Sequence, residues 1–119
     1  MADAVLIVDD DETARYVLSA HLESTPWRTA TAGGGEEALR LIAESLPAAI
    51  VLDLSMPDLD GIEVLQRLRA LPATASVPII VCTGFNDPQL AWSLGASAFV
   101  PKPTNREKIL EALKEVGIL

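Results

Sequence analysis

Acidic residues, a threonine and a lysine each follow an apolar run in this sequence. Residues 5–8 run into Asp9 and Asp10, residues 50–52 into Asp53, residues 79–82 into Thr83, and residues 98–100 lead to Lys102. Continuous apolar runs are typical of buried strands in a parallel sheet, and such sheets bind ligands outside the carboxyl ends of their strands. Carboxylates gathered at one edge repel one another unless a cation or a change of protonation compensates, and a divalent metal ion is the natural choice. The pattern therefore predicts a site for a hard divalent cation, which prefers oxygen ligands, beside a hydroxyl and an ammonium group.

The composition limits the class of protein. The chain has 119 residues, of which 50% are apolar, and this length suits one domain with one core, so we expect a single domain over residues 1–119. No apolar run approaches the length of a membrane span, and residues 1–4 show no export signal, so we expect a cytoplasmic protein. The net charge of −8 argues against direct binding to nucleic acid, because an acidic surface repels phosphate groups.

The hydrophobic pattern alternates between strand and helix five times. The predicted inward faces of four helices are Ala14, Val17, Leu18 and Leu22; Leu39, Ile42, Ala43 and Leu46; Ile62, Leu65 and Leu68; and Ile109, Leu110, Leu113 and Val116. The second strand is predicted over Trp27–Ala32. Asp87 before Pro88 predicts the N-cap of a short helix that ends near Gly95, and Thr104–Glu107 matches a capping box at the start of the last helix.

Regular alternation of strands and helices predicts an α/β fold with right-handed crossovers. Five strands suit a flavodoxin-like, doubly wound parallel sheet of order 2-1-3-4-5 with helices on both faces. The switch point of that topology lies between strands 1 and 3, which end at Asp9–Asp10 and at Asp53. The predicted fold and the predicted cation site therefore agree.

With these residues assembled, the sequence resembles the receiver domain of bacterial two-component response regulators. The motifs that carry the resemblance are Asp9–Asp10, the segment 53–61 (Asp-Leu-Ser-Met-Pro-Asp-Leu-Asp-Gly), Thr83 and Lys102–Pro103. Each motif is weak by itself, but their occurrence together in this order is specific, and the resemblance covers nearly the whole chain. It implies a phosphoacceptor signalling domain in which Asp53 receives a phosphoryl group from a sensor histidine kinase, a phosphotransfer protein or a small phosphodonor.

The resemblance also implies a Mg²⁺ site. Asp10, Asp53 and the backbone carbonyl of Ser55 would bind the ion directly, and Asp9 would act through a water molecule. A shell that keeps several waters is what Mg²⁺ prefers. The resemblance thus assigns a ligand set to the divalent cation that the acidic residues predict.

The remaining residues of the motif are implied to hold the phosphoryl group. Lys102 would neutralise one phosphoryl oxygen, Thr83 would donate its hydroxyl to another, and backbone amides near Ser55 and Gly84 would complete the site. A cis peptide bond at Lys102–Pro103 is compatible with the resemblance, because the cis form costs little before proline. The chain would catalyse only its own phosphorylation and dephosphorylation, so we do not expect an enzyme in the ordinary sense.

Two departures from the family pattern concern signalling. Receivers commonly carry a switch residue in strand 5 that turns inward when the Thr83 hydroxyl engages phosphate. The matching residue here is Phe99, which has no hydroxyl, so we expect its ring to stay buried in both states. The segment from Thr83 to Gly95 is also about three residues, or one helical turn, shorter than the family pattern. We expect a downstream protein partner at the face of helix 4, strand 5 and helix 5, and a monomer or weak dimer.

The sequence leaves other interpretations open. Asp11 fits a helix cap better than a metal ligand. Gly33–Gly35 lacks the spacing of a phosphate-binding loop and is interpreted as a turn. A phosphatase of the haloacid dehalogenase type would need a general acid where this chain has Ser55. A binding-only pseudo-receiver is the main alternative, although such proteins usually lack an acid or the lysine. No output domain is predicted within residues 1–119.

Overall fold

A computed structural model describes residues 1–57 and 60–119, and these residues form a parallel sheet of five strands with five helices. The strands are β1 (Ala4–Val8), β2 (Arg28–Ala32), β3 (Ala49–Leu52), β4 (Ile79–Thr83) and β5 (Ala98–Pro101). The helices are α1 (Glu12–His21), α2 (Gly35–Glu44), α3 (Gly61–Ala70), α4 (Pro88–Ser93) and α5 (Arg106–Glu115). The strand order is β2-β1-β3-β4-β5, as predicted. In the described parts of the chain, no helix is both long and apolar enough to cross a membrane.

The sheet is covered on both faces, which explains its continuous apolar strands. Successive side chains of a strand point to opposite faces. In β1, Leu6 and Val8 belong to the core under α2, α3 and α4. Val5 and Ile7 belong to the core under α1 and α5. The predicted placement of helices on both faces is therefore confirmed.

Two predicted helix faces needed correction. In α2 the buried side chains are those of Ala38 and Ile42, whereas Ala43 and Leu46 are exposed. The helix ends at Glu44, so Leu46 lies beyond it and the helical period does not apply there. In α1, Val17 was predicted to face inward but is 42% exposed. The spacing of apolar residues alone did not show where the buried face of each helix ends.

The predicted helix ends are partly confirmed. Asp87 caps α4 by accepting a hydrogen bond from the backbone N–H of Leu90 at 3.0 Å, and Pro88 follows it at the first helical position. In α5 the predicted capping box at Thr104 is wrong. Asn105 is the N-cap and accepts from the backbone N–H of Lys108 at 2.9 Å. This shift by one residue moves the glutamate of the motif out of the capping-box position.

An unpredicted arginine joins two loops at the amino ends of β4 and β5. The Arg69 guanidinium donates to the backbone carbonyls of Gly95 at 2.8 Å, Val77 at 2.8 Å and Ala75 at 3.1 Å. It also donates to the hydroxyl of Ser97 at 3.2 Å. Burial lowers the pKa of Arg69 below its ordinary value. The side chain therefore satisfies loop carbonyls and fixes the carboxyl end of α4, where Gly95 has a φ of +101°.

Arg69→Met is expected to lower the free energy of unfolding by about 2 to 3 kcal/mol, because several half-buried carbonyls lose their donor. Urea unfolding followed by tryptophan fluorescence measures the change. The matched control is Arg67→Met, two residues away on α3, whose side chain is exposed and pairs with Glu63 at 2.9 Å. Loss of that surface pair should cost about 0.5 kcal/mol or less. Equal decreases in the free energy of unfolding of the two variants would contradict the assigned role of Arg69.

Candidate functional site

The side chains predicted for the site converge at the carboxyl edge of the sheet. Asp9 follows β1, Asp53 follows β3, Thr83 ends β4 and Lys102 follows β5. The backbone N–H of Lys102 donates to the Thr83 carbonyl at 2.9 Å, which extends the pairing of β4 and β5 to the site. An open cleft of about 550 Å³ is lined by Asp9, Asp10, Asp11, Asp53, Ser55, Gly84, Phe85 and Lys102.

Three carboxylates form an acidic cluster in this cleft. One oxygen from each of Asp9, Asp10 and Asp53 lies within 4.8 Å of the others. Asp9 and Asp53 are buried, whereas Asp10 is exposed to the cleft. An all-oxygen donor set beside open space for water fits Mg²⁺. The cluster is therefore compatible with the predicted metal.

The oxygens of Asp9 are both engaged by the protein. Oδ1 accepts a hydrogen bond from the backbone N–H of Asp11 at 2.9 Å. Oδ2 accepts one from the Lys102 ammonium at 2.5 Å. Asp11 in turn caps α1 by accepting from the backbone N–H of Thr13, as predicted. Asp10, which faces the cleft, is thus better placed than Asp9 for direct coordination.

Lys102 is the cation between two carboxylates. Besides its bond to Asp9, its Nζ lies 3.4 Å from Oδ2 of Asp53. Burial acts to lower the pKa of Lys102, but the hydrogen bond to Asp9 and the charge of Asp53 outweigh it and raise the pKa above its ordinary value. The side chain therefore stays charged at neutral pH. The Lys102–Pro103 peptide bond is cis, as the resemblance allowed.

Thr83 and Ser55 hold the other oxygen of Asp53. The buried Thr83 hydroxyl donates to Asp53 Oδ1 at 2.8 Å, and the backbone N–H of Ser55 donates to the same oxygen at 3.1 Å. The backbone N–H of Phe85 donates to Thr83 Oγ1 at 3.2 Å, which leaves the hydroxyl proton free to point at Asp53. Asp53 therefore presents both oxygens to groups that neutralise or stabilise negative charge.

Gly61 sets the approach of α3 to the Asp53 backbone, a role that sequence analysis missed. Its N–H donates to the Leu54 carbonyl at 3.0 Å. A Cβ atom at this position would lie 2.0 Å from the Asp53 carbonyl oxygen and 2.5 Å from the Leu54 Cα. Glycine is required here because two backbones meet. The predicted loop over residues 55–61 includes Asp58 and Leu59, which lie outside the described residues.

Comparison with known proteins identifies the family. Residues 5–114 match the family model of the response regulator receiver domain. The chain belongs to this family. Receiver domains are signalling domains rather than classical enzymes, and response regulators act with histidine kinases or phosphotransfer partners. Membership supports a phosphoacceptor role for the chain.

Individual relatives agree with this assignment. The transcriptional regulatory protein AfsQ1 of Streptomyces coelicolor is 37% identical over 112 residues, which are 92% of this chain and 48% of that protein. The chain spans about half the length of that relative and of several others. The chemotaxis regulator CheY4 of Vibrio cholerae has a TM-score of 0.88 and 29% identity over 98% of this chain and 99% of that one. A receiver domain protein of Methanospirillum hungatei has a TM-score of 0.86 and 27% identity over 97% and 93%.

Of the two remaining predicted residues of this receiver, Gly84 lies at the cleft and Phe99 does not. Gly84 lines the cleft, and Phe85, which is 47% exposed, forms part of its rim. Phe99 lies apart from the cleft, where it is partly buried and packs against the core under α2, α3 and α4. Cys82 is buried next to Thr83, and burial raises the pKa of its thiol to about 11. It is a core residue.

Proposed function

We propose that Asp53 accepts a phosphoryl group from a sensor histidine kinase, a phosphotransfer protein or a small phosphodonor, with Mg²⁺ as cofactor. The observation that carries the proposal is the environment of the Asp53 carboxylate. A hydroxyl and an amide contact one oxygen, an ammonium lies near the other, and two further carboxylates lie within 4.8 Å. Phosphoryl transfer depends mainly on such positioning and charge stabilisation.

The residues of the cleft have separable roles in the proposed reaction. An Asp53 oxygen forms the new P–O bond as the bond from phosphorus to the donor nitrogen or oxygen breaks, and the leaving group keeps that electron pair. Lys102 neutralises charge on the transferred group, and the Thr83 hydroxyl turns from Asp53 to a phosphoryl oxygen. Backbone amides near Ser55 and Gly84 donate to the remaining oxygens.

Mg²⁺ would be held by the acidic cluster. Asp10, Asp53 and the Ser55 carbonyl are the proposed direct ligands, and Asp9 would act through water because both of its oxygens have protein partners. The bound ion supplies neutralisation of the phosphoryl oxygens. Lys102 provides the compensating charge for Asp9 and Asp53 in the absence of the ion.

The deciding experiment is intact mass measurement after incubation with acetyl phosphate and Mg²⁺. We expect the native chain to gain the mass of one phosphoryl group, and Asp53→Asn to gain none because the amide is a poor nucleophile. The matched control is Asp3→Asn, an exposed acid at the far end of β1 that should be phosphorylated normally. EDTA should abolish the gain in the native chain.

Absence of an adduct on the native chain, together with absence of Mg²⁺ binding, would contradict the proposal. That result would favour the alternative of a binding-only pseudo-receiver. The six-residue α4, which is short as predicted, is compatible with such a module. The acidic cluster and Lys102 argue for the phosphoacceptor.

The proposed output is a change in protein binding at the face of α4, β5 and α5. Trp92 on α4 is 50% exposed, and Phe99 lines a pocket with Lys108 and Glu111 of α5. We propose Phe99 and Thr83 as the switch pair, with weak rotation of the Phe99 ring because it has no polar group to expose. We further propose a single receiver domain over residues 1–119 that acts in the cytoplasm as a monomer or weak dimer, without direct contact to nucleic acid.

A further inference from the structure

A second cation, Arg15, reaches the acidic edge from α1. Its Nη1 donates to the backbone carbonyl of Asp9 at 2.7 Å. The backbone N–H of Asp9 donates to the Ala32 carbonyl of β2 at 3.1 Å. The main chain of Asp9 is thus fixed on both sides, by β2 and by Arg15. Because the Asp9 carbonyl belongs to the peptide group that leads into Asp10, Arg15 sets the direction in which Asp10 leaves β1.

The Arg15 guanidinium packs over Gly33 in the turn between β2 and α2. A Cβ atom at Gly33 would lie 3.2 Å from Arg15 Nη1 and 3.7 Å from its Cζ. The Gly33 N–H donates to Oε1 of Glu37 at 2.7 Å, which fixes the turn under the guanidinium. The first glycine of the Gly33–Gly35 run therefore leaves space for Arg15, in addition to forming a turn.

We infer that Arg15 is a positioning residue for the cation site and holds Asp10 in the geometry that binds Mg²⁺. This inference rests on the proposed function of the acidic cluster. Arg15 acts through the Asp9 carbonyl and not through the carboxylates. Groups that orient metal ligands in this indirect way commonly matter for affinity nearly as much as the ligands.

The direction of the change in Mg²⁺ affinity distinguishes a positioning role of Arg15 from a purely electrostatic one. Removal of a positive charge near a bound cation removes repulsion, so loss of charge alone would tighten Mg²⁺ binding. Loss of positioning would weaken Mg²⁺ binding instead. We expect Arg15→Gln to raise the Mg²⁺ dissociation constant about tenfold. Arg15→Lys, which keeps a donor and the charge, should recover much of the affinity.

Calorimetric Mg²⁺ titration of the full chain provides the measurement, with thermal unfolding in EDTA to show that each variant is folded. The matched control is Arg28→Gln, which removes the same charge from an exposed arginine at the opposite end of the sheet. We expect Arg28→Gln to bind Mg²⁺ as the native chain does. Phosphorylation of Arg15→Gln by acetyl phosphate should recover at saturating Mg²⁺, because the loss is in ion affinity.

Gly33→Val tests the same contact without removing charge. The added side chain pushes the guanidinium away from the Asp9 carbonyl, so Mg²⁺ binding should weaken, as we expect for Arg15→Gln. In Arg15→Gln/Gly33→Val the two losses should not add, since both act through one contact. Native Mg²⁺ affinity or tighter binding in Arg15→Gln would overturn the inference while the proposed function stands. Absence of Mg²⁺ binding in the native chain would overturn both.

Discussion

Gly61→Ala is expected to destabilise the protein by about 3 kcal/mol or more and to reduce phosphoryl acceptance by about 100-fold. The added methyl group would lie 2.0 Å from the Asp53 carbonyl oxygen, a contact that no real structure tolerates. Backbone atoms must move, and the Asp53 carboxylate moves with them. Urea unfolding and the initial rate of phosphorylation by acetyl phosphate measure the two effects.

Helix propensity opposes this prediction and is too weak to reverse it. Alanine is favoured over glycine in a helix by up to about 1 kcal/mol, and Gly61 is the first residue of α3. Its φ angle is not positive, so the substitution introduces no dihedral strain. The steric contact with the Asp53 backbone therefore decides the sign.

Gly84→Ala is the matched control for stability. A Cβ atom at Gly84 would have no heavy atom within 4 Å, although the residue also borders the cleft. Its free energy of unfolding should stay within about 0.5 kcal/mol of the native value. A Gly61→Ala variant as stable as Gly84→Ala would show that α3 does not press against the Asp53 peptide group as described.

The sequence predicted the groups that meet at the cleft because one rule of topology brings them together. Strand ends of a parallel α/β sheet converge, so Asp9, Asp53, Thr83 and Lys102 could be placed at one edge from the apolar runs before them. The strand order was chosen among doubly wound topologies because five strands suit the order 2-1-3-4-5. These predictions needed only the type of side chain and its position relative to a strand.

The roles of Gly61, Arg69 and Arg15 could not be predicted in this way. Each residue acts on the backbone of another residue. Gly61 approaches the Asp53 carbonyl, Arg69 donates to the Gly95 carbonyl, and Arg15 donates to the Asp9 carbonyl. Every residue has a carbonyl, so its presence carries no signal in the sequence. The segment 53–61 did contain Gly61, but the pattern did not reveal which backbone the glycine approaches.

Lys102→Met is expected to have opposite effects on Mg²⁺ binding and on phosphorylation. In the native chain the ammonium contacts Oδ2 of Asp9 and lies 3.4 Å from Oδ2 of Asp53, so it competes with a divalent ion for the same negative charge. Its removal should lower the Mg²⁺ dissociation constant. The rate of phosphorylation at saturating Mg²⁺ should nevertheless fall by about 100- to 1,000-fold, because one electrostatic partner of the transferred group is lost.

The same variant should be less stable than the native chain without metal. Asp9 has a buried side chain, and loss of its cation leaves an unpaired charge. Such losses cost about 3 to 5 kcal/mol at buried sites. We expect about 2 kcal/mol here, because the Lys102 side chain is 27% exposed and water screens the pair. Urea unfolding in EDTA and in Mg²⁺ should show that Mg²⁺ raises the free energy of unfolding more in the variant than in the native chain.

The raised pKa of Lys102 gives this stability a pH dependence. The folded-state pKa lies above the ordinary lysine value, so the contribution is fully present below the ordinary lysine pKa and disappears as the pH rises through the folded-state pKa. The stability difference between the native chain and Lys102→Met should therefore be constant at neutral pH and shrink at strongly alkaline pH.

Lys114→Met, at an exposed position in the last turn of α5, is the matched control and should change neither Mg²⁺ affinity nor phosphorylation. Weaker Mg²⁺ binding in Lys102→Met would contradict the assignment of Lys102 as the group that replaces the ion between Asp9 and Asp53. Arg15→Gln should shift the Mg²⁺ dissociation constant in the opposite direction from Lys102→Met, although each removes one positive charge from a side chain that contacts Asp9. Opposite shifts would show that Lys102 competes with the ion through its charge, whereas Arg15 supports the ion through the backbone.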